Sequence, residues 1–164
     1  MKSIAMKTSL TTLLCLSAGL PQIVFADDLL NRLENATEAM GKKQGDFYLS
    51  RVPELKDKMP EWEWDEEIRQ ASKCVLDGIE KAKGQDVAEA YVAGLEKDAA
   101  MEISSMTQFS EQSSIPEELQ GDDQTILNLM ESCKTIEIST VRLKQSGFWD
   151  AMQDPTVMQR LLAE

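Results

Sequence analysis

The chain has 164 residues, with 29 acidic and 17 basic side chains, a formal net charge of −12 and no histidine. Histidine is the commonest general base near neutral pH and the commonest metal ligand. Its absence excludes Ser-His-Asp and Cys-His hydrolases, histidine zinc sites and histidine-ligated haem. So acidic a chain is also ill suited to phosphate backbones, which call for clustered Lys and Arg, and nucleic acid is not an expected partner.

The first 26 residues read as a secretory signal peptide. Lys2 and Lys7 supply a positive start, Leu10 to Leu20 a short apolar run, Pro21 a break, and Val24-Phe25-Ala26 a cleavage site. The apolar run falls short of the ~20 residues of a membrane span. Cleavage after Ala26 leaves residues 27–164 as a single helical domain. This mature chain of 138 residues has 15 bases against 29 acids, a net charge of −14. No second long apolar run follows, so the product is expected to be periplasmic or secreted and not embedded in a membrane.

Removing the signal also removes Cys15 and leaves Cys74 and Cys133, an even pair in an oxidising compartment. No Cys-x-x-Cys spacing points to redox catalysis, so a structural disulfide is expected.

The mature chain reads as helical almost throughout. Asp28 is placed to cap a first helix with Leu29, Leu33, Ala36 and Met40 on one face, and Gly41 and Gly45 are expected to flank its end. A looser stretch with Phe47, Tyr48, Val52, Leu55 and Met59 is punctuated by Pro53 and Pro60. After the acidic, tryptophan-bearing segment Glu61–Glu67, a helix is predicted from Asp65, with Ile68, Ala71, Val75, Ile79 and Ala82 on its stripe and Gly84 at its end. A longer helix is predicted from about Asp86 to Met106. Residues 110–114 read as a polar connector and residues 114–117 as a helix start. From Asp122 or Asp123 one helix is predicted through Cys133 to Gly147, overriding the strand-like Ile136–Val141 run. Asp154-Pro155 opens a short final helix with Val157, Met158, Leu161 and Leu162. The expected fold is all-α: a compact bundle of four to five main helices with one inter-helix disulfide, Cys74 to Cys133.

Chemistry-bearing residues are few. Trp62 and Trp64, two apart in an acidic segment, are the candidate binding residues. They either form a recognition platform or fold inward to plug the end of the bundle, where large aromatics usually pack, with Trp149 sharing their cluster. The acidic blocks around Glu61–Glu67 and Glu117–Asp123 lack calcium-loop spacing and sit at expected helix starts, where carboxylates favour the helix dipole. Methionines fall mainly on apolar stripes, as core filler and not as a copper set. Catalytic residues, metal ligands and cofactors are all expected to be none.

No diagnostic family motif is present. The general profile is similar in type to periplasmic acid-stress chaperones and to immunity proteins. The leading expectation is a non-enzymatic exported interaction protein, in its sharpest form an inhibitor or immunity-type binder of a basic envelope protein, steered by acidic charge. The alternatives are a small-molecule or metal carrier, with a site between helices lined by Tyr91, methionines and a tryptophan, and an acid-stress periplasmic chaperone. A carboxylate hydrolase ranks last.

Overall fold

A computed structural model describes residues 22–111, Pro116, Leu119 and residues 123–163. The signal residues up to Pro21 lie outside the described residues, as do most of the 114–117 helix start and most of the second acidic block. Among the described residues the fold is all-α, without strands, and its helices pack together around one disulfide.

Helix α1 spans Gln22–Arg51, 30 residues without a break. Gly41 and Gly45 do not end it; they lie in its interior and are buried. Each costs the helix roughly 0.5–1 kcal/mol relative to alanine. The reason they stand there is tertiary. The helix stops before Pro53, whose ring forces Val52 out of the helical region, to φ −137° and ψ 77°. A 3-10 turn, Pro53–Lys58, then buries Leu55.

Helix α2, Glu66–Lys83, starts where the Asp65 carboxylate accepts the Ile68 backbone N–H at 3.0 Å, as expected of a cap. Its stripe buries Ala71, Val75, Leu76 and Ile79, while Ala82 is exposed. Gly84, at φ 101°, ends α2 and starts α3, Gln85–Ala100. The sequence pattern carried α3 on to Met106, but it ends at Ala100. The Lys43 ammonium on α1 donates to the carbonyls of Ala99 (2.6 Å) and Met101 (3.1 Å), satisfying groups orphaned at the helix end. A short α4, Met106–Glu111, follows.

The long helix expected from Asp123 to Gly147 is two. Helix α5, Asp123–Ser132, and α6, Thr135–Gln145, are separated by Lys134 in the left-handed region at φ 64°. Lysine is not a residue that announces such a turn, so nothing local betrayed it. Cys133 sits buried at this corner, bonded to the more exposed Cys74 with Cα atoms 5.7 Å apart, which ties α2 to the end of α5. Helix α7, Phe148–Met152, follows Gly147 at φ 78°. Helix α8, Pro155–Leu162, is capped by Asp154, whose carboxylate accepts the Thr156 N–H at 2.8 Å.

The core has three centres. Leu30 and Leu33 of α1 meet Leu76 of α2 and Val92 of α3. Val75 and Ile79 of α2 pack with Ala88 and Cys133. At the other end Val52, Leu55, Phe148, Ala151 and Leu161 form a cluster that gathers Met59, Met106, Met152 and Met158. Arg32 on α1 makes a two-pronged contact with Glu96 on α3, at 2.9 and 2.8 Å, and Arg69 on α2 pairs with Glu34 on α1. No helix among the described residues is long and apolar enough to cross a membrane.

Candidate functional site

The segment Pro60–Asp65 crosses the bundle between the 3-10 turn and α2, and three polar ties hold it. The Trp64 backbone N–H donates to Glu38 Oε1 on α1 at 2.7 Å. Asp65 caps α2 and also pairs with Arg142 of α6. Arg142 further donates to the Glu63 carbonyl at 3.4 Å. The Asp65 carboxyl is held below its ordinary range, first by the Ile68 N–H and then by the Arg142 charge.

The two tryptophans face inward from this segment. The Trp62 indole lies against the backbone of α1: a Cβ at Gly41 would fall 2.6 Å from its Cε3, and one at Gly45 would fall 3.1 Å from its Nε1. The glycines, four apart on one helical face, make a flat seat for the ring. Trp64 packs beside Leu30, Leu33, Leu76 and Val92. Both are half-buried. Trp149 is elsewhere: it does not join them, is 42 % exposed, and lies under the Lys144 ammonium, 5.6 Å from the ring centre.

Behind the segment is an apolar cavity of about 290 Å³. Trp62 and Trp64 wall one side, Leu33 and Thr37 come from α1, Ile68, Ala71, Ser72 and Val75 from α2, Tyr91 from α3, Met130 from α5, and Ile138, Arg142 and Leu143 from α6. Most polar groups on this wall are satisfied locally: the Thr37 hydroxyl donates to the Leu33 carbonyl (2.9 Å) and the Thr135 hydroxyl to that of Met130 (3.1 Å). Others are not. The hydroxyls of Ser72, Tyr91 and Ser139 have no hydrogen-bond partner among the described residues; Ser72 is buried, Tyr91 half-buried and Ser139 exposed. Burial pushes the Tyr91 phenol above its ordinary pKa, so it stays a neutral donor. An unmet buried hydroxyl costs about 1–3 kcal/mol.

Adjoining the cavity at Pro60, Glu61, Trp64, Ile138 and Arg142 is a wider, polar groove of about 750 Å³. It carries the carboxylates of Glu61, Glu63, Asp65, Glu67 and Glu137, with Lys134 and Arg142 as its cations. The first acidic block is therefore used twice: Asp65, Glu66 and Glu67 serve the start of α2, and Glu61, Glu63, Asp65 and Glu67 line the groove. Among the described residues no group of three or more His, Cys, Asp or Glu side chains is arranged to hold a metal ion.

Sequence reasoning singled out Trp62, Trp64, Tyr91 and the methionines but missed Ser72, Arg142 and the glycine seat. The Gly41–Gly45 spacing was the available signal, and it was read as a helix end. No family model matches the sequence, and neither a curated protein nor a solved structure is similar to it.

Proposed function

We propose that this is an exported, non-enzymatic binding protein that takes a small, largely apolar molecule into the cavity beneath Trp62 and Trp64. The observation that carries this reading is a pair of unpartnered hydroxyls, on buried Ser72 and half-buried Tyr91, in the wall of a largely apolar space between helices. Such sites combine apolar walls with a few polar groups that orient the ligand. Export fits the disulfide. Cleavage after Ala26 would also leave α1 beginning at Asp27-Asp28, two carboxylates at the positive end of the helix dipole.

The test is titration calorimetry with a neutral two-ring probe, 1-naphthylmethanol. At about 0.5 kcal/mol per heavy atom its Kd should be on the order of 10–100 μM. Ala71→Leu, which fills the cavity, should abolish binding while the variant stays folded by circular dichroism. Tyr91→Phe should weaken binding yet leave the free protein as stable or more so. Binding that is absent in the native protein, or unchanged by Ala71→Leu, would overturn the proposal.

A second reading, capture of a basic protein, is supported by the acidic groove. It predicts that Glu63→Lys with Glu67→Lys abolishes pull-down of a cationic envelope protein while Ala71→Leu does not. Unchanged pull-down by the charge-reversed protein would rule it out.

A further inference from the structure

We propose that the cavity's ligand is an amphipathic cation: a compact apolar body held under Trp62 and Trp64, and an ammonium-type group that emerges into the acidic groove. This rests on the small-molecule reading above and adds the chemistry of the ligand's second end.

The two spaces are continuous. Glu61, Trp64 and Arg142 line both, whereas Tyr91 lines the cavity alone. A molecule whose apolar body reaches toward Tyr91 therefore has its other end in the groove. The charges there are lopsided. Asp65 and Arg142 are committed to each other, and Arg142 is also held by the Glu63 carbonyl. That leaves the carboxylates of Glu61, Glu63, Glu67 and Glu137 facing Lys134. None of these four carboxylates has an ion-pair partner among the described residues. A cation at this position meets several carboxylates from three elements, the connecting segment, α2 and α6, an arrangement that attracts cations. An anionic end group would meet the same four carboxylates with repulsion, offset only in part by Lys134, because the Arg142 guanidinium is already paired.

The experiment is calorimetric titration of the full exported protein at pH 7 with three probes that share one ring system: 1-naphthylmethylamine (cationic), 1-naphthylmethanol (neutral) and 1-naphthoate (anionic). At low ionic strength the cation should bind about tenfold tighter than the alcohol, and the anion weaker than either. The cation's advantage should shrink as salt is raised, because exposed charges are screened within about 10 Å at 0.1 M. Glu63→Gln with Glu67→Gln and Glu137→Gln should bring the cation to the affinity of the alcohol and leave the alcohol unchanged. If the alcohol binds and the amine binds no better, this inference fails while the cavity reading stands. If no probe binds, both fail. If the amine binds equally well to Ala71→Leu, the protein is acting as an ion exchanger at its surface and the inference is overturned.

Discussion

Gly41→Ala isolates the contact that builds the candidate site. In the interior of an ordinary helix this change stabilises, by about 1 kcal/mol, because alanine loses less backbone freedom on folding. In α1 the new methyl carbon falls 2.6 Å from Trp62 Cε3 and 2.8 Å from Cδ2, where ordinary contact begins at 3.4 Å. Both atoms belong to a rigid ring, so the whole indole must shift, at an overpacking cost of about 1–3 kcal/mol. The net expectation is destabilisation of about 0–2 kcal/mol. In a Trp62→Ala background the clash is gone, and the same substitution should stabilise by about 1 kcal/mol. The difference is a coupling energy of about 1–3 kcal/mol. Gly45→Ala is an internal standard: its nearest approach is 3.1 Å, to Nε1, so its penalty should be smaller. Urea unfolding followed by tryptophan fluorescence measures all of these, and displacement of Trp62 should also move the emission of the folded state. If Gly41→Ala stabilises the native protein as much as it stabilises Trp62→Ala, the indole does not rest on that glycine and the account of the cavity wall fails.

Three further outcomes are expected. Opening the Cys74–Cys133 bond, which spans 59 residues, should cost about 4 kcal/mol at most in the chain-entropy account, seen as a lower urea midpoint in Cys74→Ser with Cys133→Ser. The carboxyls of Glu54, Asp65 and Glu96 are held below their ordinary range, by the Arg160 side chain, by the Ile68 N–H together with Arg142, and by the Arg32 side chain respectively. Lowered carboxyl pKa values add stability that is complete above the unfolded values and is lost as pH falls through the folded ones. With no histidine to titrate, thermal stability should be flat from about pH 5 to 8 and fall below about pH 4, and a step near pH 6.5 would contradict this. Finally, intact mass of the protein recovered from the envelope of its host should correspond to a chain beginning at Asp27 with one disulfide; a mass that retains residues 1–26 would refute the cleavage reading.

The chemistry available at the site follows from the same inventory. A neutral phenol, a serine hydroxyl and indole faces can orient and enclose a molecule, but they supply no general base near neutral pH. Under the proposal, the exposed carboxylates would add selection by the sign of the ligand's end group to selection by the shape of the cavity.

Local signals in the sequence determined much of the fold. Apolar residues at helical spacing marked α2 and the start of α3, because one face of each must leave water. Asp65 and Asp154-Pro155 marked helix starts through their own side-chain and ring chemistry, and Gly84 and Gly147 marked ends through positive φ. With Cys15 assigned to the expected signal, the other two of the three cysteines left a single possible pairing. Tertiary contacts decided the rest. Gly41 and Gly45 look like a helix end in isolation, and only the indole laid across them explains an unbroken α1. The carbonyls at the end of α3 are met by an ammonium from α1, and the break at Lys134 has no local marker. The cavity could not be read from periodicity, because its walls come from five helices and a connecting segment. Periodicity tells which face of each helix is buried, whereas an enclosed volume exists only where those faces fail to fill the space between them.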